Sequence, residues 1–231
     1  MALIGVVPAR GGSKGIPRKN LALCGGKSLL AWTAEAARTS GVLDCVILST
    51  DDAEIADAGR ALGLEVPFLR PANLAEDGTL MLAVITHALA ALRQHHARIE
   101  GLVLLQPTSP FRRGHHIAEA AGLFRQRRAA TVVSVERTPH NFVPTSLMRE
   151  TGGRLVPYLD GEIGPMLRQE KAHLFARNGP AVLIARPDVI DAGQLYGNPT
   201  VGYEMGRIES LDIDTPNDLR LADHLVLSGW A

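Results

Sequence analysis

Two stretches of the chain gather side chains able to act on a phosphorylated anion. The first is VVPARGGSKGIPRKN, residues 6–20, where Arg10, Lys14, Arg18 and Lys19 stand among Gly11, Gly12 and Gly15, with no acidic residue before Glu35. A loop that closes on phosphates needs backbone freedom, so that its amides converge, and fixed cations to neutralise the oxygens. The three glycines offer the freedom, and Arg10, Lys14 and Lys19 offer the charge. A solvated turn with scattered basic residues is the plainer alternative, and the dense clustering directly after an apolar run argues against it. The second stretch is SLDIDTPNDLRLADHL, which puts Asp212 and Asp214 two residues apart. At the end of a strand both carboxylates would project from one face and Ile213 from the other. Such a pair can hold a Mg²⁺ ion that keeps most of its waters and also touches phosphates. An aspartate before a helix is often only a cap, and a helix is well signalled here: Thr215 to cap it, Pro216 at its first position, Asp218 completing a capping box.

Neither stretch is a common nucleotide fingerprint. Ser13 occupies the place of the second glycine in G-x-G-x-x-G, and GGKS (25–28) is no P-loop because the glycine required five residues before Gly26 is Leu21. The pairs His95-His96 and His115-His116 lie in helical patterns, where neighbours diverge by about 100°, so they are assigned no function. Cys24 and Cys45, the only cysteines, are too few for a disulfide framework and lack a metal-ligand spacing.

The elements that must position these groups follow from the hydrophobic pattern. Short runs apolar on both faces, LIGVVP (3–8), CVILST (45–50), LVLLQ (102–106), TVVSV (131–135) and AVLIA (181–185), suit strands covered on both sides. Between them SLLAWTAEAARTS, DAEIADAGRALG, TLMLAVITHALAALRQHH and HHIAEAAGLFRQRR repeat apolar residues at three and four, as helices do. This order predicts a mostly parallel α/β sheet with right-handed crossovers and a ligand at the carboxyl ends of its strands, where the basic loop falls. The pattern breaks over 136–173, where four prolines and Gly152-Gly153 mark an inserted arm. At 231 residues and 46% hydrophobic, with 24 Lys+Arg against 24 Asp+Glu and a pI near 7.1, the chain is an ordinary globular protein without a field for nucleic acid or an anionic membrane. Its first apolar stretch, MALIGVVPA, is too short for a signal peptide or a span, so a cytoplasmic protein with a small ligand is expected.

Four segments in this order, PARGGSKGIPRKN (8–20), STDDAEIADAGRALGLEVPFLRPANLAEDGT (49–79), LLQPTSPFR (104–112) and LDIDTPNDL (211–219), resemble the N-acylneuraminate cytidylyltransferases, also called CMP-sialic acid synthetases. The resemblance implies one domain over 1–231 with a Rossmann-like nucleotidyltransferase fold, helices on both faces of a mostly parallel sheet, and an inserted dimerisation arm at 136–173. It implies that CTP and a 2-keto-3-deoxy acid sugar, sialic acid or a related nonulosonate, give the CMP-sugar and pyrophosphate with Mg²⁺, in a homodimer. Arg10, Gly11, Gly12, Ser13, Lys14 and Lys19 would hold the triphosphate, Arg10 and Lys19 meeting the departing charge; Asn20, Arg70 and Thr79 match positions at the nucleotide. Asp212 and Asp214 match the metal carboxylates, Asp214 being counted with the catalytic groups, while Gln106, Arg168 and Gln169 match the acid-sugar contacts. Read alone, Arg70 is a surface arginine, Thr79 a helix cap and Gln106 a strand-end amide.

The segment RQEKAHLFARNGPAVLI (168–184) departs from the family pattern, with Glu170 for the usual aspartate and Pro180-Ala181-Val182 where a tyrosine-bearing strand is common, which leaves the sugar open. The nearest rival acts on 3-deoxy-manno-octulosonate or a phosphonate-like acid. The octulosonate enzymes usually carry a tyrosine and a threonine-arginine pair in the loop where this chain has Gly11-Gly12-Ser13-Lys14-Gly15. A non-catalytic nucleotide-binding regulator on the same fold would be expected to lose a loop cation or a metal carboxylate, and none is missing. A dinucleotide oxidoreductase lacks its glycine fingerprint.

Overall fold

The first strand, β1 (Ala2–Pro8), is buried at every residue after Ala2 because it is paired on both sides, with β4 (Cys45–Ser49) and with β5 (Ile99–Leu104), both parallel to it. The computed structural model describes residues 1–159 and 173–230. The main sheet runs β11-β6-β10-β5-β1-β4, with β6 (Thr131–Arg137), β10 (Leu183–Ala185) and β11 (Thr200–Glu204) completing the order. β10 is antiparallel to both β5 and β6, and β11 is parallel to β6. β10 follows the arm instead of a helical crossover, which allows it to run against its neighbours.

Side-chain alternation along β1 feeds two cores. Leu3 and Val7 pack with α1 (Leu29–Thr39), α2 (Ala53–Ala61) and α4 (Gly114–Gln126) through Leu30, Ile55, Ile117 and Phe124. Ile4 and Val6 pack on the other face with α3 (Met81–Leu92) and the short α5 (Pro187–Asp191) through Ile85, Leu89 and Ile190. A third cluster sits above the carboxyl ends of the strands and joins Ile16, Trp32, Phe111, Ile213 and Ala222, the last from α6 (Pro216–Leu227). Burying a residue such as Ile213 contributes about 1.5–3 kcal/mol, so this cluster anchors both stretches in which chemistry is expected.

The GGKS decoy forms β2 (Leu23–Cys24) and β3 (Lys27–Ser28), a hairpin whose two-residue turn puts Gly25 and Gly26 at φ 57° and 79°, as a type I′ turn requires. Ser28 then caps α1, its hydroxyl accepting from the Ala31 amide at 3.1 Å. In the inserted stretch, β7 (Met148–Thr151) and β8 (Arg154–Pro157) form a two-stranded sheet of their own across Gly152-Gly153 among the described residues. The chain returns as β9 (Phe175–Arg177), antiparallel to β6. Between the pairs Val135↔Arg177 and Val133↔Leu183, β6 contributes Ser134 alone while the returning chain bulges out residues 178–182.

Candidate active site

The basic loop leaves β1 at the carboxyl edge of the sheet and is tied down by acidic residues beyond β4. The Gly11 amide donates to Asp51 Oδ1 at 3.0 Å, and Arg18 donates to both Asp52 oxygens at 3.0 and 3.2 Å and pairs with Glu54 at 2.8 Å. Arg18 is therefore an anchor of the loop, committed away from any ligand. Asp52 also caps α2 through the Ile55 amide, and that hydrogen bond, then Arg18, hold its carboxyl below the usual range. Two glycines permit close approach: a Cβ at Gly11 would fall 2.8 Å from Asp52 Oδ2, and one at Gly15 would fall 2.6 Å from the Asp214 carbonyl oxygen. Gly12 lies in open space.

The loop walls a cleft of about 390 Å³ whose lining includes Arg10, Ser13, Lys14, Lys19, Asn20, Arg70, Thr79, Gln106 and Asp214. Gly11, Gly12 and Asp212 stand outside that lining, and Arg168 and Gln169 lie outside the described residues. The cations differ in exposure and anchoring. Lys19 is 17% exposed and donates to the Ile213 carbonyl at 2.8 Å and to Asp214 Oδ1 at 3.2 Å, whereas Lys14, at the loop tip, is 80% exposed. Arg10 Nη2 and Lys14 Nζ share Asp77, at 2.8 and 2.5 Å, and Arg10 Nη1 donates to the Ala75 carbonyl. Asn20 is buried and holds the Arg10 carbonyl at 2.9 Å, which fixes the start of the loop.

Arg70 is buried, its Nε donating to Ser49 Oγ at 3.0 Å and its Nη2 to the Ser49 carbonyl; burial lowers its pKa and Asp51 opposes the shift. Thr79 does not cap α3, whose N-cap is Leu80; its hydroxyl donates to the Asn73 carbonyl at 3.2 Å and it faces the cleft. The sequence reading missed Glu76 and Asp77, which bring two carboxylates to a cleft of cations. Their only local signal is their place in the same NLAEDGT segment as Thr79.

Asp212 and Asp214 lie in irregular backbone, 211–214, instead of at a strand end. One long-range hydrogen bond, from the Ile213 amide to the Thr108 carbonyl at 2.8 Å, and the burial of Ile213 still set the alternation, with Asp214 exposed. The capping box after them forms as expected, Thr215 accepting from the Asp218 amide. Asp212 Oδ1 and Thr108 Oγ1 are buried and neither meets a partner at hydrogen-bond distance among the described residues, although the two side chains lie near enough for the hydroxyl to act on the carboxyl. Burial raises the Asp212 pKa, the Thr108 hydroxyl opposes the shift and Asp214 adds to it. An orphaned carboxylate oxygen beside an exposed second carboxylate suits a hard cation. No group of three His, Cys, Asp or Glu gathers to hold one among the described residues, so remaining ligands would come from water and substrate oxygens.

The histidine pairs stay clear of this site. The rings of His115 and His116 do meet, with centroids 3.9 Å apart, but His116 Nδ1 accepts from the Arg113 amide as a cap of α4, and burial lowers its pKa to about 4. Burial likewise pushes the thiols of Cys24 and Cys45 up to about 11.

A cleft at the carboxyl ends of parallel strands, with four cations and an adjacent carboxylate pair, can receive a polyphosphate and a metal ion together. The model of the cytidylyltransferase family matches residues 4–174, which takes in the loop, the whole arm and the cleft lining up to Thr108 but stops short of Asp214. The chain belongs to the cytidylyltransferase family. This cytidylyltransferase is 33% identical over 229 residues to the CMP-N,N'-diacetyllegionaminic acid synthase of Legionella pneumophila, covering 98% of this chain and 97% of that one. It is 32% identical over 222 residues to the N-acylneuraminate cytidylyltransferase of Escherichia coli O18:K1:H7, covering 95% of this chain but spanning only 51% of that protein. Among solved structures, CMP:2-keto-3-deoxy-manno-octonic acid synthetase complexed with CTP superposes with a TM-score of 0.73 at 17% identity over 99% of each chain, so the two share one fold.

Proposed function

We propose that the enzyme transfers CMP from CTP to the anomeric hydroxyl of a 2-keto-3-deoxy acid sugar of the nonulosonate class and releases pyrophosphate. The observation that carries this reading is the cleft in which Arg10, Lys14, Lys19 and Arg70 converge beside Asp214. The activities for which the Legionella and Escherichia coli relatives are named point to the nucleotide and the class of sugar. The anomeric oxygen forms a bond to the α-phosphorus, the bond from that phosphorus to the β-phosphate bridging oxygen breaks, pyrophosphate takes the electron pair, and the hydroxyl proton passes to solvent. Charge grows on the leaving oxygens, so catalysis is chiefly positioning and electrostatics.

Lys19, mostly buried and fixed by the Ile213 carbonyl, is suited to meet developing charge, as is Arg10; Lys14 at the loop tip is suited to capture the triphosphate. Gly11, Gly12 and Ser13 let the loop close on phosphate, and Asn20, Arg70 and Thr79 shape the nucleotide side of the cleft. Asp212 and Asp214 would hold a divalent cation, Mg²⁺, which when bound withdraws charge from phosphate oxygens. Gln106, with Arg168 and Gln169, would receive the acid sugar.

The inserted arm, 136–173, within a single domain over 1–231, is proposed to join two copies. Phe142, Met148, Leu155 and Tyr158 on it are 57%, 52%, 68% and 53% exposed, a large apolar display for a surface with no other role. A cytoplasmic setting accords with the use of CTP; no helix among the described residues is long and apolar enough to cross a membrane.

A pyrophosphate-release assay pairing each of the four ribonucleoside triphosphates with a panel of acid sugars tests the reading. Turnover restricted to CTP and a nonulosonate is expected. Turnover with another nucleotide, or with none, refutes it.

A further inference from the structure

Among the described residues Arg112 is the largest side chain fully withdrawn from solvent, and no carboxylate there pairs with it. An interior guanidinium without a counter-ion is costly, and a hydrocarbon of similar volume would fill the same space without that cost. Its hydrogen bonds show where the charge is directed. Nη1 donates to the carbonyls of Gln106 and Ala181, both at 2.9 Å, and Nη2 donates to Thr33 Oγ1 at 2.6 Å.

Those two carbonyls belong to segments on either side of Asp212. Residues 106–108 carry the Thr108 carbonyl that receives the Ile213 amide, and the bulge 178–182 carries Gly179, where a Cβ would lie 3.3 Å from Asp212 Cγ. The antiparallel ladder between β5 and β10 ends at Leu104↔Leu183. Continued in the same register it would place Gln106 opposite Ala181, and at that step the guanidinium takes the place of the missing backbone bonds. The bulge is held from its other side by Asn178, whose Nδ2 donates to Ser210 Oγ at 2.9 Å and whose Oδ1 accepts from Ser134 Oγ at 2.6 Å.

We infer that Arg112 is a positioning residue for the carboxylate site: by bridging Gln106 and Ala181 it sets the width of the gap in which Asp212 is held. The inference rests on the metal-assisted cytidylyl transfer proposed above. A planar donor with two bonds on one nitrogen can span two carbonyls and still reach Thr33; a lysine ammonium reaches fewer acceptors in that fixed geometry.

The test compares wild type with Arg112→Lys, Arg112→Met and Thr33→Val by thermal unfolding, by calorimetric CTP binding in EDTA, and by electron paramagnetic resonance of Mn²⁺ binding in the presence of CTP. Arg112→Met is expected to bind CTP in EDTA within about threefold of wild type, since the loop cations are anchored elsewhere, while its Mn²⁺ affinity falls by about tenfold or more, the usual effect of removing a group that orients a metal ligand. Arg112→Lys should recover part of that loss. Thr33→Val removes the one bond of the guanidinium that goes to neither segment beside Asp212 and should lower the unfolding midpoint without weakening Mn²⁺ binding.

Wild-type Mn²⁺ affinity in Arg112→Met overturns the inference, as does an equal loss of Mn²⁺ affinity in Thr33→Val, which would reduce the effect to general destabilisation. Should Arg112→Met fail to fold, Arg112→Lys against Thr33→Val decides on the same terms. A wild type that binds neither CTP nor Mn²⁺ refutes the functional reading itself and the inference with it.

Discussion

Replacing Asp212 with asparagine should make the metal-free protein more stable while removing metal-supported turnover. Asp212 keeps a buried Oδ1 with no hydrogen-bond partner among the described residues, and burial, reinforced by Asp214, raises its pKa against the opposing Thr108 hydroxyl. In the unfolded chain the same carboxyl titrates at about 3.9. Between that value and the raised folded one, the native state binds more protons than the unfolded state, so stability falls as pH rises through the window and the penalty is complete above it. Leaving a buried polar group unsatisfied costs about 1–3 kcal/mol, and asparagine keeps an orphaned acceptor but loses the charge, so a recovery of about 1 kcal/mol is expected. For a chain of this size that corresponds to a rise of about 2–4 °C in the unfolding midpoint.

Circular dichroism melts in EDTA at pH 7 and near pH 4 would measure it. The variant should melt above wild type at neutral pH, and the gap should shrink on acidification as the wild-type carboxyl takes up its proton. Added Mg²⁺ and CTP should reverse the ranking, because ligands that bind the native state stabilise the form that holds them more tightly. A variant less stable than wild type in EDTA at pH 7, or a gap that ignores pH, would refute the reasoning.

The loop cations should separate in kinetics: Lys19→Ala and Arg10→Ala lower kcat by about 10² or more, while Lys14→Ala chiefly raises KM for CTP. If all three variants changed only KM with CTP varied at saturating sugar, the loop would be a binding device alone. Asp77→Asn releases Arg10 and Lys14 from a carboxylate that competes with the triphosphate, so calorimetry should show CTP bound about threefold more tightly; weaker binding would mean that Asp77 aligns the two cations. Deleting residues 141–165 should give a monomer of low activity, and a deletion variant that sediments as a dimer and turns over normally would sink the arm assignment.

Features encoded by local chemistry were legible in the sequence. β1, α1 and α4 follow from apolar periodicity, the capping box from Thr215 and Asp218, and the position of the basic loop from the strand before it, because each depends on residues a few positions apart. The edge strand β11, TVGYE, is half solvated and carries no apolar run to mark it, and the antiparallel course of β10 depends on how the arm returns the chain. The stretch 211–214 has strand-like alternation without strand pairing: the Thr108 carbonyl takes the Ile213 amide, and the Ile213 carbonyl goes to the Lys19 side chain instead of to a neighbouring strand. Within the site, the sequence determined which charges were present and tertiary structure decided whom they face. Arg18, one of four cations in one short loop, is committed to Asp52 34 residues away, while Arg10 and Lys14 meet Asp77. Arg112 closes the segment LLQPTSPFR, whose local chemistry assigns its charge no partner, and the fold buries it against Ala181, 69 residues on. Local pattern specifies backbone conformation and burial; the partner of a buried charge is set by the register between distant strands, which no short window of sequence contains.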